Sequence, residues 1–219
     1  MERLASPRSA VPFPWLTPGV FAGALVPLAG LVVQGARGTI GADPVAIVLN
    51  RFGLLALIFL VASLACSPAK ILFGWTWPIR LRRMLGLFAV FYASLHLVTY
   101  VAVDQGFDWH VLWADVTQRK FMIVGFAAFL TLLPLAATST DASVRRLGFR
   151  RWKALHRLAY LAGGLAVVHF LWRVKLDITQ PLTYAILLGV LLLVRVGEAA
   201  RARRARARRA PGGTLSEPG

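Results

Sequence analysis

The 219-residue chain is poor in cysteine, in acidic residues and in charged residues overall. It has one cysteine, nine Asp and Glu together, and 16% charged residues against 58% hydrophobic ones. With Cys66 alone, no intrachain disulfide can form and no paired-cysteine motif exists. In its apolar run Cys66 reads as a small filler. There is no G-x-G-x-x-G fingerprint and no room for a nicotinamide-binding domain. The mean hydropathy of +0.65 excludes an ordinary soluble domain and points to a polytopic membrane protein.

What the chain does have is apolar runs. Six of them, each near the length a helix needs to cross a bilayer core, fall at Leu16–Val33, Ala46–Cys66, Met84–Val103, Phe121–Ala137, Trp152–Trp172 and Leu182–Val196. Proline and glycine are scattered inside them, as membrane helices tolerate. The first run follows Pro12-Phe13-Pro14, contains Pro27 and lacks a small-residue cleavage site, so it reads as a retained helix. The expected architecture is an all-α bundle of six transmembrane helices. Its parts are a cytoplasmic segment over residues 1–15, a transmembrane domain over 16–196 and an arginine-rich tail over 197–219.

The net charge of +16 would suit a nucleic-acid binder, but its distribution suits a membrane protein better. Basic residues cluster in alternate connections. One set holds Arg3 and Arg8, then Lys70, Arg80, Arg82 and Arg83, then Arg145 to Arg157, then Arg195 and the tail arginines from Arg201 to Arg209. The other connections hold few, and carry Asp104, Asp108 and Asp115. By the positive-inside rule both termini are cytoplasmic. The tail has no aromatic interleaving or reading fold for nucleic acid. It reads as a topology determinant, with anionic lipid headgroups as the functional alternative. Trp75, Trp77, Trp109, Trp113 and Trp152 fall where interfacial belts lie. Thr138-Ser139-Thr140-Asp141 reads as a cap where the fourth span ends.

Four histidines remain. His110 sits in the outside connection DQGFDWHVLWAD and reads as solvated or interfacial. His96 lies in the third span, and His156 and His169 in the fifth. Ionisable side chains inside membrane helices are costly and tend to be functional. Spans three and five run parallel, which puts His96 and His169 in the outer half and His156 near the inner end. A haem between facing helices takes one imidazole from each side. His96 with His169 meets that need and gives a six-coordinate b-type haem suited to electron transfer. His156 is thirteen residues before His169. At about 100° per residue the two fall about 140° apart unless Gly163-Gly164 allows a kink or close packing. Its counterpart on the third span is Arg82, fourteen residues before His96. Arginine is a poor iron ligand and better suited to a propionate or a phosphate-bearing cofactor. A second, inner haem stays open. So do two other classes: a transporter or proton channel with a histidine relay, and a membrane anchor whose histidines merely pack.

The stretches RRMLGLFAVFYASLHLVTY, LPLAATSTDASVRRLGFRRWKALHRLAYLAG and VVHFLWRVK resemble the MsrQ family, within the broader ferric-reductase-like membrane domain. The likeness runs from about Asp43 to Val196. It implies the haem-binding membrane subunit of a bacterial periplasmic protein-methionine-sulfoxide reductase system, with haem b held by His96, His156 and His169 and with FMN as a further cofactor. In the broader group two histidines on each of two helices hold two haems. Here Arg82 stands where the fourth histidine would be, so the count is one haem or two. The resemblance further implies electrons drawn from the quinone pool or a cytosolic flavin reductase across the inner membrane. They would pass to a molybdenum-containing catalytic subunit, MsrP, that reduces methionine sulfoxide. The sulfoxide chemistry then belongs to the partner, in keeping with a chain that has no cysteine pair.

Overall fold

A computed structural model describes residues 15–174 and 176–209. Among them the regular structure is entirely helical: α1 (Leu16–Ala36), α2 (Pro44–Phe73), α3 (Trp77–Val98), α4 (Trp109–Gln118), α5 (Lys120–Ala137), α6 (Asp141–Leu147), α7 (Phe149–Leu155), α8 (Leu158–Arg173) and α9 (Thr179–Arg209). Six segments are long and apolar enough to cross a membrane: α1, α2, α3 with the π-helical turn that follows it, α5, α7 with α8, and α9. The protein is a multi-pass membrane protein. A helix suits these runs because it satisfies every backbone polar group within the segment. The expected six spans are present, most of them extended by a turn or more beyond the apolar run itself.

The helix ends have local causes. Asp43 accepts a hydrogen bond from the Ala46 amide at 3.0 Å to start α2. Asp108 accepts from the amides of His110 and Val111 at 2.9 and 3.2 Å to start α4. Asp177, between two spans, accepts from Thr179 at 2.9 Å before α9, and these bonds hold its carboxyl below the usual range. The Thr138–Asp141 cap does start a helix. Thr140 Oγ1 accepts from the Ser143 amide at 3.1 Å and opens α6, while Asp141 pairs with Arg83 at 2.9 Å.

The chain divides into a unit ending at Ile47 and a second beginning at Val48. In the first, α1 is followed by a turn in which Gly41 has φ 127°, and a Cβ there would come within 2.8 Å of Ile47 Cδ1. In the second, α8 packs along α5, with α3 against α5 and α9 against α8. The core between them is built from Leu57, Leu60 and Leu64 of α2, Ala89 of α3, Leu132 of α5, Ala162 and Val167 of α8, and Leu188 of α9. Phe59 and Tyr92 stack within it at 5.5 Å. Large apolar side chains face outward instead, Leu193 at 72% exposure among them, as a surface solvated by lipid requires.

The fifth span is broken, but not at its glycines. α7 ends at Leu155, with His156 as its cap, and α8 starts at Leu158, whereas α8 runs unbroken through Gly163-Gly164. Gly163 serves close packing, since a Cβ there would lie 3.4 Å from Leu188 and Leu64 methyls. α9 carries on as a charged helix to Arg209. The expected N-terminal segment and polar C-terminal coil lie almost wholly outside the described residues.

Candidate functional site

Two of the histidines are brought together. The rings of His96 on α3 and His169 on α8 lie 6.2 Å apart, centre to centre, with their planes at 82°. Each is held the same way. His96 Nδ1 is 2.9 Å from the carbonyl oxygen of Leu49 on α2, and His169 Nδ1 is 2.7 Å from that of Phe121 on α5. A carbonyl only accepts, so Nδ1 carries the proton in both rings, and Nε2 keeps its lone pair. Backbone carbonyls orient metal-binding imidazoles by this same contact.

Helical carbonyls are ordinarily covered by the residue four positions on. Here that residue is glycine both times. A Cβ on Gly53 would lie 3.1 Å from Nδ1 and Cε1 of His96, and one on Gly125 would lie 2.5 Å from Nδ1 of His169. Leu49 with Gly53 and Phe121 with Gly125 therefore form two matching cradles. Phe121 also contributes its ring, 5.9 Å from His169.

The spacing suits a metal between the rings. A metal–imidazole bond of about 2 Å, with nitrogen roughly 1.1 Å from its ring centre, would set two rings on opposite sides of a metal about 6.2 Å apart. Among the described residues no group of three or more His, Cys, Asp and Glu side chains could hold a bare ion. Two neutral imidazoles fit an iron whose other four ligands come from a macrocycle.

Residues that the sequence reading passed over complete this end. Arg173 follows His169 by one turn, and its guanidinium donates to the Asn50 side chain, the residue after Leu49. Its charge acts on both histidines. The π-helical turn Thr99–Asp104 begins three residues beyond His96. Such turns occur often at functional sites. From it Tyr100 donates to Asp115 at 2.9 Å, and Asp115 pairs with Arg119 at 3.1 Å.

His156 keeps other company. Its Nδ1 is 3.1 Å from the Trp152 carbonyl, and the two rings lie 4.0 Å apart. Trp152 is tied in turn through its indole N–H to the Thr138 carbonyl at 2.9 Å. It supports His156 as well as standing near the span's end. Arg82 acts electrostatically on His156 and donates to Ser67 Oγ at 3.3 Å. His110 is exposed on the first turn of α4.

Comparison with known proteins fits this arrangement. Residues 51–167, which carry His96, His156 and Gly125, match the model for the ferric reductase like transmembrane component. The chain is 50% identical over 185 residues to the protein-methionine-sulfoxide reductase heme-binding subunit MsrQ of Rhodospirillum rubrum, an alignment covering 84% of this chain and 89% of that protein. With MsrQ of Deinococcus radiodurans it is 48% identical over 197 residues, covering 90% and 97%. The chain belongs to the MsrQ family. Membership extends to α9 as well as to the ferric-reductase-like core, since the alignment with the second relative spans nine-tenths of the chain. MsrQ of Ralstonia nicotianae is 46% identical over 175 residues.

Proposed function

We propose that this protein is a haem b membrane subunit of a methionine-sulfoxide reductase system, carrying electrons from one face of the inner membrane to the other. The observation that carries the reading is the His96–His169 pair, with each Nδ1 held by a carbonyl and each Nε2 left for iron. Haem b supplies reversible one-electron chemistry when bound. His96 and His169 would hold it through their Nε2 atoms, an arrangement that would favour electron transfer over oxygen chemistry.

His156 and Arg82 serve the inner end. His156 offers a ligand nitrogen there, and Arg82 a guanidinium suited to a propionate or phosphate. FMN, if it binds, takes its phosphate to the inner basic connections. Electrons enter from the quinone pool or a cytosolic flavin reductase. They leave to a periplasmic MsrP-type molybdopterin subunit, which uses two electrons and two protons to convert methionine sulfoxide to methionine and water.

The test is a reduced-minus-oxidised visible spectrum of the purified protein, with haem counted per chain. Wild type should give a b-type signal that His96→Ala and His169→Ala each remove. A colourless wild type would sink the proposal and favour a histidine-relay transporter or proton channel. Reduction by quinol, set against reduction by NADH with a flavin reductase, then separates the two donors.

A further inference from the structure

Near Arg82, three side-chain polar atoms are buried without a hydrogen-bond partner among the described residues: Nε2 of His156, the hydroxyl of Tyr160 and Nη1 of Arg195. They belong to one neighbourhood. The Arg195 guanidinium lies over the Tyr160 ring, 5.2 Å from its centre. Tyr160 follows His156 by four residues. The Arg82 charge acts on both His156 and Arg195. Three separate spans thus place these groups at one spot.

Among the described residues no carboxylate pairs with them. Among the described residues the ion pairs are Arg83 with Asp141 and Arg119 with Asp115, and neither includes Arg82 or Arg195. Arg82 donates to a hydroxyl, that of Ser67. Two guanidinium groups within each other's field, partly buried in a membrane domain and without a counter-charge among the described residues, are unfavourable. Proteins meet that cost by pairing the charge or by binding something that pairs it. Here the unmet groups are mainly donors. The guanidinium fork and the phenol match the oxygens of a carboxylate or phosphate. Beside them, His156 Nε2 offers a lone pair, because Nδ1 faces the Trp152 carbonyl.

We propose that Arg82, Tyr160 and Arg195 form an oxyanion site that receives the carboxylate or phosphate of a ligand seated against His156. Tyr160 and Arg195 are its defining members. It rests on the function proposed above only in that a propionate-bearing haem is one ligand with this chemistry. A flavin phosphate and a phospholipid headgroup are the others, and all three present the same group.

The experiment uses the full chain in nanodiscs and three pairs of probes, each differing only in the oxyanion: protohaem against its dimethyl ester, FMN against riboflavin, and phosphatidic acid against diacylglycerol. Binding is read by absorbance titration, flavin fluorescence and native mass spectrometry. Wild type should prefer the anionic member of one pair by about tenfold or more, as expected for charge-assisted hydrogen bonds. Arg195→Gln should abolish that preference, Tyr160→Phe should reduce it, and Arg195→Lys should keep part of it. The pair that discriminates names the source. The His96–His169 haem spectrum reports folding, and if Arg195→Gln loses it, Arg82→Gln and Tyr160→Phe decide by the same criterion. No preference in wild type for any pair, or a preference that persists in folded Arg195→Gln, overturns the site. Absence of any haem would defeat the electron-transfer reading yet leave the flavin and lipid arms decisive.

Discussion

A methyl group on Gly125 would sit 2.5 Å from Nδ1 of His169, closer than real Cβ contacts come. The equivalent distance from Gly53 to His96 is 3.1 Å. The two cradles are alike in design but not in tolerance. Gly125→Ala must push the imidazole off the Phe121 carbonyl, because the other side of the contact is helix backbone. Gly53→Ala needs a shift of only a few tenths of an ångström. Haem per polypeptide, measured after purification, should fall to a small fraction of wild type in Gly125→Ala and stay above half in Gly53→Ala. Equal retention in both would show that the cradles do not position the ligands.

The angle between the two imidazoles also has a measurable consequence. Parallel imidazoles on a haem iron would split its π-orbitals, whereas rings held at the 82° found between His96 and His169 would leave them nearly degenerate. The oxidised protein should therefore give a low-spin ferric EPR signal with a large, strongly anisotropic highest g value. A rhombic signal of the kind parallel imidazoles produce would mean that the rings rotate when iron binds.

Arg173 places a positive charge beside both imidazoles, and Asn50 holds it there. A nearby cation favours the reduced iron, which carries one charge less. Arg173→Gln should lower the midpoint potential by some tens of millivolts, on the order expected for a charge several ångströms away in a partly solvated site. Asn50→Ala should produce part of that shift by freeing the side chain. Because Arg173 is only partly buried, the difference should shrink as salt is raised in a potentiometric titration.

How much of this could be read from the residues differs between the two ends. Six apolar runs give six spans because length and hydropathy leave a membrane segment little choice of structure. His96 and His169 could be paired from depth alone, since parallel helices of similar length put them at one level. Gly53 and Gly125 carried a signal that went unused. Each is a lone glycine in an apolar helix, four residues beyond a carbonyl, but which carbonyl meets which histidine is settled only by packing. Arg173 and Arg195 stand at the ends of spans, where a charge is ordinary. Their roles depend on which way α8 and α9 turn, and periodicity leaves that open. The break at His156 rather than at Gly163-Gly164 has the same origin. Glycine permits a kink, while tertiary contacts decide where one occurs.

The orientation expected from charge placement, with both termini cytoplasmic, can be checked with the single cysteine removed. In a Cys66→Ser background, a cysteine at His110 should react with a membrane-impermeant maleimide on intact spheroplasts. A cysteine at Arg203 should react only after permeabilisation. Both positions are exposed, so burial would not confuse the result. The reverse pattern would invert the expected topology, and with it the proposed direction of electron flow.

Trp152 offers the sharpest separation of the two ends. Its indole N–H bonds to the Thr138 carbonyl, its own carbonyl faces His156 Nδ1, and its ring lies against the imidazole. Trp152→Phe keeps an aromatic contact but removes the indole donor, leaving the Thr138 carbonyl without this partner at a cost of about 1–2 kcal/mol. That loss loosens the segment positioning His156 while leaving His96, His169 and their cradles untouched. The b-type spectrum and EPR signal of the outer pair should match wild type. Ligand binding at the Arg82 end should weaken several-fold. If both ends changed together, the two sites would be mechanically coupled through α8. If neither did, packing against the ring alone would be enough to hold His156 in place.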